Sequence, residues 1–129
     1  MNKESSFTSL QLAKLIAGFA SDIKAEEITI LDMRKVANFC DFFVLSTGSS
    51  SRQVRAIADG IQEKLKDLGI KVRFKQGYKE GRWVLVDLGN VVAHVFDQET
   101  REFYGLDYLW QEAKKVKWED PSLPKDTGK

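Results

Sequence analysis

The chain has 129 residues, 43% hydrophobic and 30% charged, with a formal net charge of +1. This describes an ordinary soluble domain with a core of its own; it argues against bulk electrostatic binding of nucleic acid, and no apolar run approaches the ~20 residues of a membrane helix. One cysteine, Cys40, and one histidine, His94, are too few for a disulfide framework or a structural zinc site, and a reducing cytosol fits best.

The opening segment, MNKESSFTSLQL, lacks the apolar core of a secretory signal and leaves little room for an organelle transit peptide. Thr8 followed by Gln11 forms a capping pattern. Leu12, Leu15, Ile16, Phe19 and Ile23 then recur at helical spacing, which predicts a first helix to about Lys24. Ile28 to Met33 reads as a first strand, Arg34 to Asp41 as a loop, and Phe42 to Thr47 as a nearly unbroken apolar strand of the buried kind. Gly48 to Ser51 turns the chain into a second helix with a serine N-cap. Its stripe is Val54, Ile57, Ala58, Ile61, Leu65 and Leu68, and Gly69 stops it. Ile57, Ile61 and Leu65 are expected in the core.

Ile70 to Phe74 predicts a third strand and Gln76 to Gly81 a polar turn. Two strands follow, Arg82 to Leu88 and Val91 to Phe96, joined by Gly89-Asn90, a two-residue hairpin signal that sets the register. Leu88 then faces Val91, Val86 faces Ala93, and Val84 faces Val95, all aliphatic. On the other face Trp83 meets Phe96, Leu85 meets His94, and Asp87 meets Val92. Asp97 caps a helix from Gln98 to Tyr104 that Gly105 ends, and Asp107 caps another around Tyr108 to Ala113. Residues 1–117 form the domain; residues 118–129, with both prolines, read as a loose polar tail. The implied fold is α/β (α+β): a single domain with a mixed five-stranded sheet and flanking helices. The unit from Phe42 to Phe74 is expected to be a right-handed parallel crossover.

Four groups of residues invite a chemical reading. Thr47 to Ser51 at a helix N-terminus, with Arg52 and Arg55 in the first turn, is a potential anion cradle; a plain serine cap with Arg55 paired to Asp59 accounts for the same residues. No P-loop lysine follows. A Gly-Ser pair after a strand also begins the nucleotidyltransferase signature, but the D-x-D pair that would hold two metal ions is missing from the next strand, and Asp87 is the hairpin's only carboxylate. His94 lacks a nucleophile beside it, and Cys40 lacks a second histidine to activate it. Lys114, Lys115 and Lys117 read as a solvated helix face, with a minor RNA contact as the secondary reading. The decorated hairpin face has two readings. Either Phe103, Tyr104, Leu106, Tyr108, Leu109 and Trp110 cover it, or part of it stays open and binds another protein.

Two long blocks carry a family resemblance. DFFVLSTGSSSRQVRAIADGIQEKL resembles the segment D-[FY]-F-V-x-x-[TS]-G-x-S-x-R-Q-V-x-A-I-A-D of the ribosomal silencing factor family, also called Iojap or RsfS. GRWVLVDLGNVVAHVFDQETREFYGLDYLW resembles its second block, with leucine at position 88 where the family often has an aromatic. The resemblance runs from about Leu10 to Trp110.

It implies a nucleotidyltransferase-like fold without the catalytic acids, and no enzyme activity and no cofactor. It implies binding to the large ribosomal subunit through large-subunit ribosomal protein fourteen, at the face where the small subunit docks. Joining is then blocked by occupancy, translation slows when nutrients are scarce, and the protein is linked to late assembly of the large subunit. Plant and mitochondrial relatives carry transit sequences; without one, this chain looks bacterial and cytosolic. The residues assigned to the partner face are Trp83, Leu85, Asp87, His94, Phe96, Tyr104, Leu106 and Trp110, and an open apolar face is also compatible with pairing of two free copies. The alternative function is nucleotide binding, or a degenerate nucleotidyltransferase-like enzyme, built on Gly48 to Arg55.

Overall fold

A computed structural model describes residues 7–118. The first helix, α1 (Ser9–Asp22), starts at a capping box. Thr8 Oγ1 accepts from the Gln11 amide at 3.0 Å, and Gln11 Oε1 accepts from the Thr8 amide at 2.9 Å. Strands β1 (Glu26–Asp32) and β2 (Phe42–Gly48) pair antiparallel. Helix α2 (Ser51–Asp67) follows, then β3 (Phe74–Gln76), β4 (Trp83–Asp87) and β5 (Val91–Asp97), two short helices α3 (Gln98–Tyr104) and α4 (Leu106–Leu109), and β6 (Lys114–Val116).

The six strands form one sheet in the order β3-β4-β5-β2-β1-β6, in which β2 and β5 run parallel and every other pair is antiparallel. β2 lies near the middle and is buried along its whole length, as its nearly unbroken apolar sequence predicts. On one side of the sheet, α1 and α2 pack against Ile30, Phe42, Val44, Val84, Val86, Ala93 and Val95. Ile57, Ile61 and Leu65 of α2 belong to this core, as their spacing predicts. A second, smaller core of Leu31, Met33, Phe43, Leu45, Val92 and Phe96 lies on the opposite side.

The hairpin register is the expected one at every pair: Trp83 with Phe96, Val84 with Val95, Leu85 with His94, Val86 with Ala93 and Asp87 with Val92. Gly89 supplies the positive φ of the turn, at +99°.

Four expectations need correction. The sheet has six strands, not five, because Lys114–Val116 adds to the free edge of β1. Lys114 and Lys115 therefore stand on an edge strand rather than a helix face. The last helix covers Leu106–Leu109 and ends before Ala113, and Asp107 lies within it and not at its cap. The third strand is short and late. Gly69 adopts φ +77°, its amide donates to Lys66 O, and the Ile70 amide donates to Leu65 O. Those two bonds make a Schellman stop, so buried Ile70 belongs to the end of α2 and not to β3. As expected for a parallel crossover, β3 runs in the same direction as β2, with β5 and β4 lying between them. At the end of the domain, Trp118 packs against the larger core, and its Nε1 donates to Ile28 O at 3.4 Å. The rest of the expected tail lies outside the described residues.

Candidate functional site

The face of β4 and β5 away from α1 and α2 carries a continuous band of rings. Trp83 stands 5.4 Å from Phe96 and 5.5 Å from Tyr104, centroid to centroid. His94 lies 4.5 Å from Phe43 and 5.6 Å from Trp110. Phe43 also meets Trp110 at 4.8 Å and, at the far end, Phe39 at 6.2 Å. Phe103 closes the other end, edge-on to Tyr104 at 5.0 Å. Edge and tilted contacts of this kind suit the ring quadrupole.

The middle of the band is buried and its end is not. His94 and Phe96 are buried, and Trp83, Leu85 and Trp110 are half-buried. The side chains of α3 and α4 then stand out from the surface: Phe103 is 79% exposed, Tyr108 74%, Leu109 63% and Tyr104 56%. Glu99, Glu102, Asp107 and Glu112 are exposed among them. A groove of about 450 Å³ runs between the start of β4 and α3, with Trp83, Phe103 and Tyr104 as its aromatic walls and Glu80, Arg82 and Glu99 as its charged ones.

His94 is part of this scaffold. Its Nδ1 accepts from Trp83 Nε1 at 3.1 Å, which leaves the ring proton on Nε2 and fixes the indole. Burial pushes the imidazole from its ordinary 6.5 down to about 4. An unfolded chain takes up this proton near pH 6.5, whereas the folded one resists until about pH 4. The stability involved is fully present above pH 6.5 and drains away as the pH falls towards 4. Between pH 7 and pH 5 the loss is about 2 kcal/mol. Denaturant titrations should show this drop in the wild type and a clearly smaller one in His94→Gln. Equal drops would mean that another group carries the linkage.

The other chemical candidates are committed elsewhere. Burial pushes the Cys40 thiol up to about 11, so the nucleophilic thiolate is scarce at neutral pH. At the opening of α2, Ser50 Oγ accepts from the Gln53 amide at 3.1 Å, and the Ser49 amide donates to Gln53 Oε1. Arg55 donates to Lys79 O at 3.2 Å and does not pair with Asp59, which accepts from Tyr78 instead. Gly48 is required there by close approach, since a Cβ would stand 2.9 Å from the Val54 nitrogen. The Ser49 and Gln53 amides are thus engaged by side chains of the turn itself.

The family model described as "Ribosomal silencing factor during starvation" matches residues 6–129. This chain belongs to the ribosomal silencing factor family. It is 42% identical over 102 residues to the ribosomal silencing factor RsfS of Bacillus subtilis, covering 79% of this chain and 86% of that one. It is 34% identical over 121 residues to the chloroplastic protein Iojap of Zea mays, covering 92% of this chain and 49% of the plant protein. A crystal structure of a protein from Chromobacterium violaceum superposes with a TM-score of 0.79 at 34% identity, covering 90% of this chain and 92% of that one.

Within this silencing-factor domain the expected partner residues fall at three depths. Tyr104 is exposed, Trp83, Leu85 and Trp110 are half-buried, and His94 and Phe96 lie beneath them, covered because Trp83, Trp110 and α3 cross over the strand face. Leu106 opens α4. Asp87 is half-buried, and its Oδ1 accepts from the Gly89 amide at 2.6 Å. It holds the hairpin turn, so reversing its charge would disturb the fold as well as any contact. Trp110 covers the middle of the face while the α3–α4 end stands open. Phe103, Tyr108 and Leu109, expected as a potential cover, stand in solvent instead, since a run with so many apolar residues in so few turns cannot turn them all inward. Among the described residues, no helix is long and apolar enough to cross a membrane.

Proposed function

We propose that this domain binds the large ribosomal subunit through large-subunit ribosomal protein fourteen and blocks joining of the small subunit by occupying the joining face. Translation is thereby repressed when nutrients are limiting, and the same attachment serves late assembly of the large subunit. The observation that carries the reading is the exposed apolar ridge of α3 and α4, with Trp83, Leu85 and Trp110 behind it and carboxylates around it. Aromatic side chains backed by a rigid sheet make good anchors, because little side-chain freedom is lost when they dock. The acidic rim suits a basic ribosomal protein and steers the encounter. Tyr104, Trp83, Leu85, Trp110 and Leu106 belong to the contact, while His94, Phe96 and Asp87 support it from beneath. The action is occupancy, which needs no cofactor and no bond making.

Sedimentation with purified subunits tests this. The protein should travel with large subunits and not with small ones, and its addition should reduce the yield of joined ribosomes. Failure to travel with large subunits would end the proposal.

A further inference from the structure

Arg101 is a buried cation in the last turn of α3, only 5% exposed. Its guanidinium donates through Nε and Nη2 to the two oxygens of Asp107 on α4, each at 2.9 Å. Through Nη1 it donates to the Glu27 carbonyl and to Thr47 Oγ1, each at 2.8 Å. Its Cζ lies 5.8 Å from the centre of the Phe96 ring. One side chain thus ties α3 to α4, to the end of β2 and to β1. The β1 end of this arrangement is specialised: Glu27 sits in a bulge with φ +51°, a conformation that residues other than glycine rarely adopt.

What the clamp holds is a weak element. α4 has four residues, too few to be stable as an isolated helix. The Tyr108 and Leu109 amides both donate to Gly105 O, and both side chains are largely in solvent, so they contribute little burial. Trp110 anchors the downstream end on Phe43 and His94. At the upstream end Asp107 reaches back to Arg101. The pair is two-pronged and charge-assisted, and Arg101 is buried, unlike the surface pairs that contribute almost nothing. Hydrogen bonding from Arg101 holds the Asp107 carboxyl below its ordinary value, which keeps it ionised.

We infer that the Arg101–Asp107 pair is the positioning clamp that presents Tyr108 and Leu109 to the ribosomal partner. This rests on the ribosome-binding reading above. Asp107 is 51% exposed and lies outside both cores, so Asp107→Ala tests the clamp, and Asp107→Asn, which leaves Arg101 an acceptor, serves as the milder variant should the uncompensated guanidinium cost the fold. Two quantities are read from the full chain: amide hydrogen exchange at Tyr108 and Leu109, and affinity for purified large subunits. Exchange at those two amides should rise about tenfold or more while exchange in α1 and α2 stays unchanged. Affinity should fall roughly fivefold to twentyfold, because an α4 ordered only on binding adds its ordering to the work of docking. Reduced affinity with unchanged exchange would make Asp107 a direct contact and overturn the inference. Faster exchange with unchanged affinity would overturn it too, since the placement of α4 would then not matter to the partner. If the wild type itself fails to bind large subunits, the function proposal falls, and the exchange measurement still reports whether the clamp orders α4.

Discussion

Tyr104→Ala is expected to weaken binding to the large ribosomal subunit by roughly thirtyfold to a thousandfold, the effect of removing an aromatic anchor worth about 2–4 kcal/mol. Tyr104 is more than half exposed, so the fold loses little, while the ring joins Trp83 to Phe103 across the groove. The thermal midpoint should stay within a few degrees of wild type, as for other exposed positions. Sedimentation or surface-based titration against large subunits checks the affinity, and thermal melting checks the fold. Wild-type affinity from a normally folded variant would remove Tyr104 from the contact.

Ile61→Ala should destabilise the domain by about 2–5 kcal/mol, the range for emptying a packed position in a core that cannot collapse. Ile61 is 1% exposed, and it lies in the larger core with Val84, Val86 and Val95 of the hairpin. Denaturant titration gives the loss directly. A change under ~0.5 kcal/mol would put the site in the class of surface substitutions and contradict its burial. Since Ile61 sits on the opposite side of the sheet from the aromatic band, the folded fraction of this variant should bind large subunits as the wild type does. Ile61→Ala and Tyr104→Ala therefore separate stability from binding.

Local rules carried the reading furthest where the chain itself imposes geometry. Gly89-Asn90 leaves a two-residue connection, so every cross-strand pair of β4 and β5 follows from counting outward. Thr8 with Gln11, Ser50 ahead of α2, and Asp97 with Gly105 around α3 place four helix boundaries by capping chemistry alone. The fold class follows from the order of the elements, and the family from two long blocks that resemble its motifs. What escaped depends on partners far away in sequence. Lys114–Val116 is a strand only because β1 offers a free edge, and nothing in Lys-Lys-Val announces that. Ile70 looks like the start of a strand until the Schellman bonds claim it for the helix stop. Alternation told which side of the sheet His94 and Phe96 face, but not how deep they lie, because depth depends on where Trp110 and α3 cross. Arg101 reads as a surface charge in a short helix, and its burial appears only once β1, β2 and α4 converge on it.

The one parallel pairing in the sheet has a consequence for how this chain is made. Phe42 pairs with Val91 and Gly48 with Asp97, so the centre of the sheet joins residues roughly 50 positions apart. β4 and β5 can zip through their short turn within microseconds, whereas β2 must wait for β5 to be synthesised. At about 5–20 residues per second, that wait lasts on the order of 2–10 s. During it, β2 is a largely apolar strand with one edge unpaired, shielded only by β1 and the two helices that precede β3. A protein that acts on ribosomes thus spends its own synthesis with its central strand half-paired. Its α1 and α2 cover one face of that strand, while the edge itself stays open until β5 pairs with it.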